Sequence, residues 1–380
     1  MTKAVILGGG MIGSVMAMDL AQDPSFEVTV ADAEQESLDG MARRWGARTL
    51  RADLSDPGAV HRLASGFDLV LGALPSVFGL ASLRAVIESG RPYVDISFMP
   101  ENALELDGLA KARGVTAVVD CGVAPGTSNL MVGYAAAQLD QCDNLEIYVG
   151  GLPAERRWPF EYKAGFAPSD VIEEYTRPAR LVEHGQVVVR EALSEPQLLD
   201  FPEIGTLEAF NTDGLRSLIL TMKAPFMKEK TLRYPGHIAL MRAFRETGFF
   251  SKEPIAVGGQ MVRPLEVTAA LLFPKWTFAE GEADLTVLRV LVEGRKDGRR
   301  LRYVWDLLDR YDPASGLRSM SRTTAFPAVL VARLLADGRF RRPGVHPPEV
   351  LGAEPGLLDG ILGQLKARGV SVRARTESLD

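Results

Sequence analysis

The sequence predicts a two-domain α/β protein: a doubly wound parallel sheet followed by a larger domain of antiparallel strands and helices. Three observations predict it. Through about residue 123, short β-rich runs alternate with helical stretches, the rhythm of a parallel sheet covered on both faces. After Pro125-Gly126 that rhythm is lost. Directly behind the first apolar run comes a glycine-rich turn, Gly8-Gly9-Gly10-Met11-Ile12-Gly13.

The parallel strands are expected at residues 4–7, 27–31, 69–72, 93–96 and 116–119, with a further strand ending just before Ala52. Each is a short β-branched or aliphatic run closed by Gly, Asp or Pro, as strands buried on both faces are. Helices are expected between them at 14–22, 59–64, 80–89 and 105–111. Beyond Gly126 a helix is expected at 127–139 and a strand at 145–149. Strands at 285–293 and 301–308 flank Arg295-Lys296-Asp297-Gly298, a hairpin turn signal. A Pro-rich stretch at 342–348 leads to a last helix at 357–367. The domains are therefore expected at 1–123 and 124–340, with 341–380 packing back on the first.

Composition narrows the function classes. Hydrophobic residues make up 46% and charged residues 24%, proportions of a globular chain with a sizeable core. Forty-three basic residues stand against 49 acidic ones, and no segment gathers Lys or Arg into the patch that nucleic-acid binding needs. Cys121 and Cys142 form neither a disulfide framework nor a zinc spacing, so no metal is expected. The most apolar stretch, 69–83, falls short of the roughly 18 residues that span a bilayer and is broken by Gly72, Pro75 and Gly79. Since Lys3 runs straight into Ala4-Val5-Ile6-Leu7, no secretory leader is expected, and the compartment read from this is cytoplasmic.

Glycines at 8, 10 and 13 fit G-x-G-x-x-G, which needs a tight turn, a backbone open to a pyrophosphate and a closely packed helix. The next strand ends in Asp32, 19 residues beyond Gly13, where a dinucleotide fold places the acid that binds the adenosine ribose. A carboxylate there repels a 2′-phosphate, and Ala33-Glu34 follow it without Arg or Ser, so NAD is favoured over NADP. This makes the first domain a Rossmann domain. Asp53 and Leu54 follow the third strand where adenine would lie, although Ser55 and Asp56 also suit a helix cap. Ala73, Leu74 and Pro75 end the fourth strand, where backbone lines the nicotinamide ribose.

Several blocks are more specific than the fingerprint. Gly122-Val123-Ala124-Pro125-Gly126, Tyr148-Val149-Gly150-Gly151-Leu152-Pro153, Glu161-Tyr162-Lys163, Leu207-Glu208-Ala209-Phe210-Asn211-Thr212, Thr231-Leu232-Arg233-Tyr234-Pro235-Gly236-His237 and Gly344-Val345-His346-Pro347-Pro348 resemble the saccharopine dehydrogenase-like superfamily, most of all its lysine 6-dehydrogenases. The resemblance runs from the first strand to about residue 350. It implies a Rossmann domain plus an α/β domain on an open mixed sheet, a homodimer or higher homo-oligomer, and NAD-dependent oxidation of the ε-carbon of lysine to allysine with release of ammonia. It also implies cofactor contacts at Ala73 to Pro75 and at Val123, Ala124 and Pro125, and substrate contacts at Ser97, Phe98 and Asn211 to Asp213. The chain departs from its relatives at Asp213-Gly214-Leu215 and at residues 164–167. These departures leave open a glutamate-forming saccharopine dehydrogenase, another amine dehydrogenase, or a nucleotide-binding regulator without chemistry.

Oxidising a primary amine requires removing a proton from an ammonium and then activating water on the imine. The acid/base candidates are Lys163, His237 and Asp95, with Asp213 beside them. His237 titrates in the right range, but it also suits the first turn of a helix. Lys163 is either a base tuned by burial or the partner of Glu161. Asp95 ends the fifth parallel strand at the edge where such sheets bind ligands, or caps the segment after it. Arg233 suits a substrate carboxylate or an interdomain ion pair. Asn211 and Thr212 suit the substrate amino group or a plain turn. Tyr162 is a substrate contact or a core aromatic, and Cys121 reads as a buried inert thiol.

Overall fold

The computed structural model describes residues 1–45 and 47–380. In chain order the first unit contains β1 (Thr2–Leu7), α1 (Gly13–Ala21), β2 (Phe26–Asp32), α2 (Gln35–Trp45), β3 (Arg48–Arg51), α3 (Pro57–Ser65), β4 (Leu69–Gly72), α4 (Gly79–Glu88), β5 (Tyr93–Asp95), α5 (Asp107–Arg113), β6 (Thr116–Val118) and α6 (Thr127–Gln138). The second contributes β7 (Gln141–Pro153), α7 (Pro168–Thr176), β8 (Ala179–Glu183), β9 (Gln186–Arg190), β10 (Gln197–Phe201), β11 (Gly205–Asn211), α8 (Leu218–Thr221), β12 (Phe226–Arg233), α9 (His237–Thr247), β13 (Ile255–Val257), β14 (Gln260–Val262), α10 (Pro264–Trp276), β15 (Asp284–Lys296) and β16 (Arg299–Arg310). Then follow α11 (Ser319–Ala336), β17 (Gly344–His346), α12 (Pro348–Gly352), α13 (Leu357–Ala367) and β18 (Val372–Ser378).

The first unit comprises residues 1–138 and 321–371. Its sheet is wholly parallel, in the order β17-β6-β5-β4-β1-β2-β3. Ala4 to Leu7 of β1 and Leu69 to Leu71 of β4 are buried, because helices cover both faces and no side chain there reaches water. Local chemistry sets the helix ends. Asp56 accepts the Gly58 N–H ahead of Pro57 at the start of α3, and α5 stops at Gly114 with φ +65°. α6 and α12 approach so closely that a methyl group on Gly133 would lie 2.0 Å from the Glu349 carbonyl oxygen, and one on Gly352 2.0 Å from that of Leu130. Buried Asn129 donates to the Glu349 carboxylate across the same contact.

The second unit comprises residues 139–320 and 372–380 and is built on a mixed sheet. Its main path is β10-β11-β12-β7-β15-β16-β18, with β8 paired to β12 and β9 to β8; only β12 and β7 run parallel. Asp297 and Gly298, both at positive φ, close the β15–β16 hairpin at the expected turn. One core, around Trp276, Tyr175, Phe210 and Met241, gathers α7, α9, α10 and β11.

The fold class is the predicted one. The divisions of the chain fall elsewhere than at 123 and 340: α6 and nearly all of α11 belong to the first unit. The segment 341–380 is itself divided. β17 extends the parallel sheet beside β6, whereas β18 pairs with β16 in the second sheet.

Candidate active site

The glycine-rich turn between β1 and α1 has the shape a pyrophosphate cradle requires. Gly8 has φ +99°, and a methyl group on it would lie 2.5 Å from the Ala73 carbonyl oxygen; one on Gly13 would lie 1.9 Å from that of Gly8. A methyl group on Gly10 would meet nothing, so the chain leaves this face of the loop open to a ligand. Ile12 caps α1 without a side-chain hydrogen bond; Ser14, Val15 and Met16 donate to the Gly10 and Ile12 carbonyls, and the positive end of the helix faces the turn. Met11, on the same turn, is exposed. These residues fit a dinucleotide.

At the end of β2, Asp32 Oδ2 accepts the Gly9 N–H at 2.5 Å and Oδ1 accepts the Glu34 N–H at 2.9 Å. The carboxylate thus stands against the cradle, as a ribose-binding acid must. Reading along the chain misses Arg51, which pairs opposite Asp32 in β3 and donates from Nε to the Ala33 carbonyl at 3.2 Å. A cation therefore sits beside the acid. Asp32→Ala is expected to weaken NAD binding roughly ten- to hundredfold, the value of charge-assisted hydrogen bonds, and to raise relative affinity for NADP. Titrating both cofactors checks this, and unchanged selectivity would remove Asp32 from the ribose site.

Asp53 accepts the Ser55 N–H and hydroxyl, and these bonds hold its carboxyl below the usual range. Asp56 is the cap of α3. Leu54 is core, Leu74 is partly buried and Pro75 exposed. Val123 is buried, and Ala124 and Pro125, joined by a cis peptide, are partly covered.

Asp95 ends β5, fully buried. Its Oδ1 accepts the Ser97 hydroxyl at 2.9 Å and the Tyr93 hydroxyl at 3.2 Å, while Oδ2 has no partner among the described residues. Burial raises its pKa to about 7; the Ser97 and Tyr93 bonds oppose the shift, and the Asp120 charge adds to it. Asp120 holds φ +55°, a conformation uncommon outside glycine. Ser97 is buried and Phe98 half-buried. Burial also pushes the Cys121 thiol well up, as an inert thiol requires.

In the second unit three of the predicted residues, Arg233, His237 and Tyr162, share one buried network, and the others lie outside it. Arg233, only 2% exposed, donates to Glu174, to the Tyr175 hydroxyl at 3.2 Å and to the Leu232 carbonyl, and its guanidinium lies 4.3 Å from the Tyr162 ring centre. Its ion pair is therefore internal to this unit, not interdomain. Burial opposes its charge, and Tyr162, Tyr175 and Glu174 more than restore it.

His237 does not suit proton transfer near neutrality. Burial and the Arg233 charge push it down to about 3, so the ring is neutral. Nδ1 lies 2.8 Å from the Phe160 carbonyl and so carries the proton, and Nε2 accepts the Tyr175 hydroxyl at 2.9 Å. Lys163 pairs with Glu282 and donates to the Thr277 carbonyl, whereas Glu161 pairs with Arg156.

Asn211 Nδ2 donates to the Ser194 hydroxyl, and its buried Oδ1 has no partner among the described residues. Thr212 donates to Glu229 and lies 2.8 Å from the Thr231 hydroxyl. The departure at 213 is neutralised in place, since Arg180 forks onto Asp213 with two 2.8 Å bonds. Glu229 is a second residue that sequence reasoning missed. Burial, with the Glu174 and Asp213 charges, raises its pKa to about 8, so it is protonated at neutrality.

A proton held by the fold but not by the unfolded chain costs stability as pH rises from about 4.5 to about 8. Glu229→Gln is expected to flatten that decline in a pH series of melting temperatures; an unaltered slope would mean Glu229 ionises normally. Among the described residues, no group of three His, Cys, Asp or Glu side chains is arranged to hold a metal ion, and no helix is long and apolar enough to cross a membrane.

Two family models cover nearly the whole chain, the saccharopine dehydrogenase NADP binding domain over residues 4–118 and the saccharopine dehydrogenase C-terminal domain over 122–370. The chain is 24% identical to carboxyaminopropylagmatine dehydrogenase of Synechocystis sp., over 94% of both chains. It is also 24% identical to carboxynorspermidine synthase of Vibrio cholerae, over 92% of both. The structure of apo saccharopine dehydrogenase (L-Glu forming) from Saccharomyces cerevisiae matches 99% of this chain and 100% of its own, with TM-score 0.81 at 18% identity, a likeness of fold. The glycine cradle, the two sheets and both family models lead to one conclusion: this chain belongs to the saccharopine dehydrogenase family, as a dehydrogenase-type oxidoreductase with a nicotinamide-cofactor domain at its N-terminus.

Proposed function

We propose that this enzyme oxidises the ε-carbon of L-lysine with NAD as acceptor, forming allysine, ammonium, NADH and a proton from lysine, NAD and one water. The observation that carries the chemistry is Asp95, a buried carboxyl with one uncommitted oxygen and a pKa raised to about 7, at the carboxyl edge of the cofactor sheet. The choice of lysine rests on the resemblance of the Glu-Ala-Phe-Asn-Thr and Arg-Tyr-Pro-Gly-His blocks to lysine 6-dehydrogenases, and NAD rests on Asp32.

Gly8, Gly10 and Gly13 would hold the pyrophosphate and Asp32 the adenosine ribose. When bound, the nicotinamide accepts the hydride from the amine carbon. That carbon gives up hydride only when its nitrogen is unprotonated, so a base must first take a proton from the ammonium. Ionised Asp95 takes it on Oδ2, while Ser97 and Tyr93 fix the carboxyl through Oδ1. In the second unit Arg233, Tyr175 and His237 form a rigid, fully bonded support rather than a proton relay. The active form proposed is a homodimer or higher homo-oligomer.

A second reading, oxidation of a secondary amine, is favoured by the full-length similarity to carboxynorspermidine synthase and carboxyaminopropylagmatine dehydrogenase. Absorbance at 340 nm separates the two, with NAD or NADP offered against L-lysine, saccharopine and carboxynorspermidine. NADH formation from lysine is expected; turnover of only the secondary amines would overturn the lysine reading.

A further inference from the structure

An arginine-rich cleft in the first unit is lined by none of the residues assigned to cofactor or substrate. The C-terminal half of α11, residues 339–342 and α13 surround a cavity of about 960 Å³. Its walls carry five arginines, Arg333, Arg339, Arg341, Arg342 and Arg368, against two carboxylates, Asp23 and Glu354, in a chain whose overall charge is −6. Asp19 and Asp337 also pair with three of these arginines, so the cleft keeps an excess of one cation in a molecule that as a whole would repel an anion.

The inner wall is built rather than loose. Arg333 and Arg368 both donate to Asp19 at 2.6 Å, and Arg333 also reaches Asp23 at 3.3 Å, so their planes are fixed and mostly covered. The rim is free to receive. Arg342 has a single 3.2 Å contact with Glu354, Arg339 pairs with exposed Asp337, and Arg341 makes no ion pair among the described residues. α13 presents its first turn to the same cleft. Its N-cap, Gly356, has φ +73° and offers no side-chain bond, and Gly360 leaves the backbone uncovered one turn on. Exposed Pro355 and half-buried Leu357 supply an apolar surface beside the cations, over the buried Leu334, Phe340 and Ile361.

We infer that this cleft binds a phosphate-bearing ligand of nucleoside-diphosphate size, at a site separate from the glycine-rich turn. Guanidinium forks and an uncapped helix end both match phosphoryl oxygens. A single carboxylate would leave most of these donors unused. The volume lies in the range of small-molecule sites, and the apolar surface suits a nucleoside better than a bare ion.

The test uses the full chain holding one equivalent of NADH, which fills the glycine-rich turn without the excess that would itself, as a dinucleotide, compete for the cleft. Titration calorimetry with UDP and with inorganic pyrophosphate is expected to show one saturable site that weakens as salt rises. UDP binding at least tenfold tighter than pyrophosphate identifies a nucleotide site; equal affinities identify a phosphoryl site that ignores the nucleoside. Both outcomes uphold phosphate binding. Arg341→Glu is expected to weaken binding at least tenfold and Arg341→Lys far less, with melting temperature and NADH affinity unchanged because Arg341 is exposed and makes no ion pair among the described residues. No saturable binding up to about 5 mM, or binding indifferent to both Arg341→Glu and Arg339→Glu, overturns the proposal.

Discussion

Asp95→Asn is expected to lower kcat by roughly 10²- to 10⁴-fold, the range for a general base, while NADH binding stays near its wild-type value. Asparagine keeps the shape of the side chain and the acceptor for Ser97 and Tyr93, so packing at the end of β5 should survive. What it removes is the oxygen that takes the proton. The wild-type pH profile carries the same signature. A base must be ionised to act, so activity should fall as pH drops through about 7, the value to which burial raises Asp95. The residual activity of Asp95→Asn should lack that limb. Full turnover with the limb intact would make Asp95 a structural acid, its raised pKa a by-product of burial.

Arg233→Ala should have the largest effect on stability, about 3–5 kcal/mol for breaking a buried ion pair. Glu174 would be left largely covered with its countercharge gone, and burial already pushes its pKa up. Tyr162 would lose the cation stacked on it, and the Tyr175 hydroxyl a donor. For a unit of this size the loss corresponds to a melting shift of roughly 6–20 °C in the second unit's transition. Arg233→Lys should recover little, since an ammonium cannot reach Glu174, Tyr175 and the Leu232 carbonyl together. Glu174→Gln in the Arg233→Ala background should recover part of the loss by removing the stranded charge. A variant that melts normally but shows a raised KM for the amine would restore Arg233 to the role of substrate-carboxylate clamp.

The first sheet was legible because its strands are buried on both faces and therefore appear as unbroken apolar runs ended by Gly or Asp. β3, Arg-Thr-Leu-Arg, is mostly exposed and left only a trace. β17 was hidden for another reason: three residues between prolines become a strand only because β6 offers them an edge, 226 or more positions away in sequence. In the second unit the hairpin turn was readable, whereas β8 to β10 lack any period that distinguishes them from loops.

The candidate site divides along the same line. The cradle and Asp32 are fixed by local spacing, but Arg51 needs the β2–β3 pairing to be seen. His237 drew notice for its intrinsic pKa, and its surroundings reverse that value. Glu229 lies in Lys-Glu-Lys-Thr, which reads as a solvated strand; only the structure shows Glu229, Lys230 and Thr231 all buried. The one available signal was the charged run itself; in the fold it pairs in register with apolar Ile147 and Val149 of β7.

Oxidation at the ε-carbon requires that the nitrogen lost be the terminal one of lysine. Turnover of L-lysine labelled with ¹⁵N at either the ε or the α position, with NAD and full-length enzyme, reads this from the isotope in the released ammonium. The expected product is ¹⁵N-ammonium from the ε-labelled substrate alone, one per NADH formed. Labelled ammonium from the α position, or no NADH from lysine in either form, would rule out ε-oxidation of lysine as the activity of this enzyme.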